Sequence, residues 1–186
     1  QRIRAFERAD RAELVRRARN LPRSAYGTLL AHIGVGVMVI GITATSAWQT
    51  EVIEAMKPGD RLNIAGYEIT FRGTAPRRGP NFQETVGHFA VESNGRHRFD
   101  LEPSKRLYDA PRQPTTEAGI RATLLGDLYL VLGDPIHDGS HAVRAYFHPL
   151  VRLIWLGALI MSIGGVISLL DRRLRVGAPS RRQRLP

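Results

Sequence analysis

The chain has 186 residues, no cysteine, and 27 Lys and Arg against 17 Asp and Glu, for a formal net charge of +10. The missing thiols exclude a disulfide framework, a cysteine nucleophile and a thiolate-bound metal. A mean hydropathy of −0.19 and a pI near 11.1 describe a soluble basic protein on average, yet the excess charge is confined to the two ends. Residues 1–23 carry Arg at 2, 4, 8, 11, 16, 17, 19 and 23 against Glu7, Asp10 and Glu13, and residues 171–186 carry Arg at 172, 173, 175, 181, 182 and 184 against Asp171, so the two tails account for the whole excess. With few aromatics interleaved for base stacking, these clusters do not read as a nucleic-acid surface. They flank apolar spans, where arginine fixes topology and meets anionic lipid.

After the basic segment 1–23, residues 24–48 read as a transmembrane helix, because Tyr26 to Trp48 holds no Asp, Glu, Lys or Arg and about 20 apolar residues cross a bilayer core. One ionisable ring, His32, interrupts that span. Polar groups at this depth face a bundle interior or a cofactor rather than lipid, so His32 is a functional candidate, against the plainer reading of a hydrogen bond to a neighbouring helix. Gly27, Gly34, Gly36 and Gly41 lie on the same helix, where small residues let another helix or a flat ligand come close, and helix packing is the simpler reason.

Residues 49–147 carry nearly equal numbers of acids and bases. From 58 onward their apolar residues alternate in short runs broken by Gly, Pro and Asn, which predicts antiparallel strands. Around Ala65-Gly66 a two-residue turn pairs Ile64 with Tyr67 and Leu62 with Ile69. Around Asn94-Gly95 a three-residue loop is expected, because it pairs Val91 with Phe99 and Phe89 with Leu101 on one face. Pro103 to Pro114 reads as a long loop, and two further strands are expected from Leu124 or Asp127 to Leu132 and from Ala142 to Phe147. Five or six such strands predict a small antiparallel β-barrel-like domain, with an OB-like barrel as one form it could take.

Residues 148–170 read as a second transmembrane helix, with Arg152 near its start, and 171–186 as a basic tail. Two spans with Arg-rich outer flanks place both tails in the cytoplasm and export the β-domain. The fold class is thus membrane α with an exported all-β domain. His88, His97, His137, His141 and His148 form no convincing metal set; the His137/His141 spacing of four crosses the turn residues Asp138-Gly139-Ser140 and would align ligands only on a helix. No phosphate loop or nucleophile elbow is present. A chain that opens on Gln reads as a fragment, or a naturally split piece, of a longer membrane protein.

Several short motifs occur in order: Leu30-Ala31-His32-Ile33-Gly34-Val35, Leu107-Tyr108, Pro114-Thr115-Thr116-Glu117-Ala118, Asp127-Leu128-Tyr129, and Tyr146-Phe147-His148-Pro149-Leu150-Val151-Arg152-Leu153-Ile154-Trp155. Over most of 24–172 this order resembles the C-terminal part of the CcmF family of cytochrome c-type biogenesis proteins. These are haem lyase subunits of the bacterial system that attaches haem to exported apocytochromes c. The resemblance implies that His32 is one axial ligand of a b-type haem, haem b, and hence a haem-iron ligand. It implies a bacterial inner-membrane protein with a periplasmic β-domain, and no complete lyase in this chain, because the family's haem-handling signature and other histidines lie upstream.

The partners it implies are the remainder of the lyase, a haem chaperone, apocytochrome c with its thioredoxin-like presenting subunit, and membrane lipid, with no nucleic acid. Arg152 reads first as a snorkelling side chain; the sharper alternative is a bidentate pair with a haem propionate. Glu117 and Asp127, at motif positions, read as residues that position a partner or close a loop. Two rivals stand beside this reading. One is a non-catalytic two-span anchor that displays a β-domain to an exported partner; the other is the related lyase of the nitrite reductase pathway.

Overall fold

The computed structural model describes residues 21–171; residues 1–20 and 172–186, which carry every arginine of the two basic tails except Arg23, lie outside the described residues. The element order is α1 (Arg23–Ala47), β1 (Thr50–Met56), β2 (Arg61–Ile64), β3 (Tyr67–Arg78), β4 (Phe82–Ser93), β5 (Arg96–Leu101), β6 (Ser104–Tyr108), β7 (Pro114–Glu117), β8 (Gly119–Ala122), β9 (Gly126–Pro135), β10 (His141–Pro149) and α2 (Arg152–Leu169). Two apolar helices therefore flank an all-antiparallel β-domain, the expected fold class. Both helices are long and apolar enough to cross a membrane. The chain divides into two compact units, one formed by the helical arms outside 40–154 and one by residues 40–154.

In the helical unit the two arms meet through backbone rather than side chains. A Cβ added to Gly27 would lie 2.5 Å from the Gly164 carbonyl oxygen, and one added to Gly34 would lie 2.7 Å from that of Gly157. The contacts are reciprocal, since a Cβ on Gly157 or Gly164 would stand 2.6 Å from the Gly34 or Gly27 oxygen. A seven-residue spacing keeps one seam of a helix turned to its partner. Gly34→Val is therefore expected to cost about 1–3 kcal/mol of overpacking, read as a lowered thermal midpoint of the purified protein. Gly165→Val is the control, because nothing lies within 4 Å of its Cβ position; equal midpoints would disprove close packing at Gly34. The seam closes at its end where the Ser24 N–H donates to the Asp171 carboxylate, 2.9 Å away.

The β-unit is two sheets, in the orders β1-β10-β9-β8 and β2-β3-β4-β6-β7, with β5 also paired to β4. Their inner faces share one core, in which Met56, Leu128, Leu130, Leu132, Val143 and Ala145 meet Leu62, Ile64, Ile69, Phe71, Phe89, Val91 and Leu101. Strand β9 shows the cause plainly: Leu128, Leu130 and Leu132 alternate inward, as a half-buried strand requires. The Phe71 and Phe89 rings, opposite each other on β3 and β4, stack at 4.8 Å between centroids.

The hairpin at Ala65-Gly66 has the expected register, Ile64 with Tyr67 and Leu62 with Ile69. The one at Asn94-Gly95 keeps the expected apolar pairs, Val91 with Phe99 and Phe89 with Leu101, but not the expected loop. Its turn has two residues, since Ser93 pairs with Arg96 and Glu92 with His97. Asn94 and Gly95 both take positive φ, 54° and 68°, the twist a two-residue hairpin turn demands. A bulge between the His97 and Phe99 pairs absorbs the extra residue.

Pro103 to Pro114 is not a loop throughout. It contains β6 and leads into β7, and its prolines stand where no ladder donor is needed: Pro103 before β6, Pro114 at the first position of β7. Strand β1, upstream of the first expected strand, and β8 complete the set.

Candidate functional site

The seam just described leaves α1 with a second face. His32 is five residues beyond Gly27, about 140° around the helix, and is exposed. Its Nδ1–H donates to the Thr28 carbonyl oxygen at 2.8 Å. With the proton on Nδ1, the lone pair is on Nε2, the tautomer that ligates a metal. Gly36, one turn further along the same face, has nothing within 4 Å of its Cβ position, so it is set apart from the three glycines in register with the seam. Around this pair Leu29, Ile33, Val39 and Ile40 are 59%, 49%, 51% and 56% exposed. The face offers one imidazole, one bare stretch of backbone and an apolar surround, which fits a flat apolar ligand with a metal at its centre.

A second constellation lies in the β-unit. Glu84 on β4 is directly opposite Arg77 on β3 and Arg106 on β6, and its carboxylate is buried. Arg77 Nε donates to Oε1; Arg106 Nε and Ser104 Oγ donate to Oε2 at 2.7 and 2.8 Å. Burial would push this carboxyl up, but the hydrogen bonds from Arg106, Arg77 and Ser104 outweigh it and hold the pKa at about 2. The two arginines reach outward to Glu102 at 3.3 Å and Glu117 at 3.4 Å. They border a groove of about 630 Å³ that Arg78 and Lys105 also line. Glu117 thus anchors an arginine. The sequence signal for this cluster was weak, because Gly73, Pro76, Gly79 and Pro80 break the strand pattern; Pro76 is tolerated in β3 because beyond Thr70 that strand pairs with β4 alone.

The other sequence candidates fall outside both groups. Arg152 Nε stands 3.6 Å from the Asp127 carboxylate, which also accepts the Thr123 N–H at 3.2 Å, so these two residues close a loop. His88 and His97 are beside Glu102 and Asp100. The His141 ring is edge-on to Phe71, and the His148 ring lies beside those of Tyr129 and Tyr146. Among the described residues no three His, Asp or Glu converge on a metal position.

A family model described as the CcmF C-terminal beta-sandwich matches residues 47–149, the two sheets whose register has just been given. The chain belongs to the CcmF family. It is 52% identical over 166 residues to the cytochrome c-type biogenesis protein CycK of Rhizobium meliloti, covering 89% of this chain and 25% of that protein. It is 42% identical over 164 residues to the CcmF of Pseudomonas aeruginosa, covering 88% and 25%. A solved structure titled cytochrome c heme lyase CcmF superposes with a TM-score of 0.66 at 18% identity, over 80% of this chain and 25% of that one. The chain thus spans about a quarter of the CcmF-family proteins it matches.

Proposed function

We propose that this chain is the C-terminal module of a membrane haem lyase for cytochrome c maturation. In this reading His32 is an axial ligand of a b-type haem, and the β-domain supports covalent attachment of haem to apocytochrome c. The observation that carries it is the His32 Nδ1–H bond to Thr28, which makes Nε2 the ligating nitrogen of the neutral ring, on the face that the glycine seam does not use. Bound there, haem supplies a one-electron couple able to keep the iron of the transferred haem reduced.

The chain's own residues do the rest. The Thr28 carbonyl holds the proton on Nδ1 and fixes the ring, Gly36 leaves room beside it, and Leu29, Ile33 and Val39 keep water away. Arg152 is the candidate propionate partner, a role that requires it to leave Asp127 or share it. Both tails are assigned to the cytoplasm and the β-domain to the periplasm of a bacterial inner membrane. There the β-domain docks on the remainder of the lyase, and the assembly receives haem from a chaperone and apocytochrome c from a thioredoxin-like subunit.

Gly36→Leu tests the proposal without touching the ligand. In the complex purified with this chain it is expected to lower the b-type signal in a reduced-minus-oxidised spectrum by at least about twofold, by overfilling the space beside the ring. Gly165→Leu, equally open but on α2, leaves the signal unchanged. Full haem content in Gly36→Leu would remove the face from consideration and favour the non-catalytic anchor.

A further inference from the structure

Thr123 to Gly126, between β8 and β9, carries the two most exposed large apolar side chains of the β-domain, Leu124 at 84% and Leu125 at 75%. The exposure does not come from slack backbone. The Thr123 N–H donates to the Gly126 carbonyl at 3.1 Å and to the Asp127 carboxylate at 3.2 Å, and the Gly126 N–H donates back to Thr123 Oγ1 at 3.2 Å. Gly126 itself has no room for a side chain, since a Cβ would stand 2.5 Å from the Phe147 ring. A frame this tightly bonded holds two leucines away from a core that contains three others from β9.

Its position says what covers them. The Leu150 N–H donates to the Leu125 carbonyl at 3.0 Å, Gly126 pairs with Pro149, and α2 begins three residues after Pro149, at Arg152. On the other side Thr45 Oγ1, in the last turn of α1, donates to the Pro149 carbonyl at 3.1 Å. Trp48, just past that helix, is 66% exposed. The leucines therefore stand level with the points where both apolar helices begin and end, the depth at which tryptophan and arginine meet headgroups. The acid nearest the turn, Asp127, is 13% exposed and opposed by Arg152, so the turn brings no free negative charge to an anionic surface.

We infer that Leu124 and Leu125 insert into the lipid interface and give the β-domain a membrane contact of its own beside the two helices. This rests on the membrane reading above, and two separate measurements keep the two apart. The chain has no cysteine, so Leu124→Cys and Leu125→Cys carry a single environment-sensitive fluorophore each in the complex, its other chains freed of cysteine, reconstituted in phosphatidylethanolamine–phosphatidylglycerol vesicles. His137→Cys, in the turn at the opposite end of β9 and β10, is the control.

Shallow doxyl-labelled lipid is expected to quench the 124 and 125 labels at least about twofold more than the 137 label, and aqueous iodide the reverse. Labels at 124 and 125 that iodide reaches, or that neither quencher reaches because another protein segment covers them, overturn the inference. Alkaline carbonate extraction of the parent complex tests the spans: a complex that stays in the pellet leaves the quenching result to decide this contact alone, and one that is released removes both readings.

Discussion

Replacing His32 by alanine is expected to reduce the b-type haem bound by the complex at least about tenfold. Loss of a group that merely orients a metal-bound histidine costs 10–100-fold in affinity, and loss of the histidine costs no less. The check is the reduced-minus-oxidised spectrum beside wild type, with total protein and thermal midpoint held as controls. Added imidazole is expected to restore part of the signal, because alanine leaves a ring-sized gap on a face with no packed neighbour at Gly36. A full haem signal in a folded His32→Ala complex would leave the ring as a hydrogen-bonding residue of α1 and nothing more.

Glu84→Gln is expected to be the most destabilising single change in the β-domain outside its apolar core. The carboxylate is buried and joins three neighbouring strands through Arg77, Arg106 and Ser104; the substitution leaves two guanidinium groups facing an uncharged partner. The depression from 4.5 to about 2 corresponds to about 3 kcal/mol of linked stability. The direction follows from the folded pKa being the lower one: the contribution is complete above about pH 4.5 and is lost as pH falls toward 2. Unfolding midpoints at pH 7 and pH 3 check both parts. Wild type should lose stability over that interval and Glu84→Gln should lose less, having no carboxylate left to protonate. Equal acid sensitivity in the two would place the titration elsewhere.

The parts of the fold that were legible in the sequence are those where one physical demand dominates. A long span without charges is an apolar helix, and alternation with a positive-φ turn is a hairpin, so the apolar registers at Ala65-Gly66 and Asn94-Gly95 could be read directly. The turn length at Asn94 was misjudged because two devices, a longer loop and a two-residue turn with a bulge, deliver Phe99 and Leu101 to the same face. Strands β6 and β7 were hidden by composition: Ser104 to Tyr108 bears Lys105 and Arg106, whose partners Asp134 and Glu84 lie on other strands. At the candidate site, the unusual histidine stood out by the cost of its position. Which glycines belonged to the seam did not, since Gly34 and Gly36 look alike until the second helix is placed. Arg152 likewise looked like a free cation until Asp127 was brought beside it.

The pairing of β1 with β10 gives the β-domain a directional mechanical response. Their seven rungs begin at Thr50 with Phe147, next to the ends of both helices, and finish at Met56 with His141. A force that spreads the helix ends loads that first rung alone and opens the ladder one pair at a time. A force along the strands that slides β1 past β10 pulls on all seven rungs together. The domain therefore yields to splaying and resists piston-like displacement.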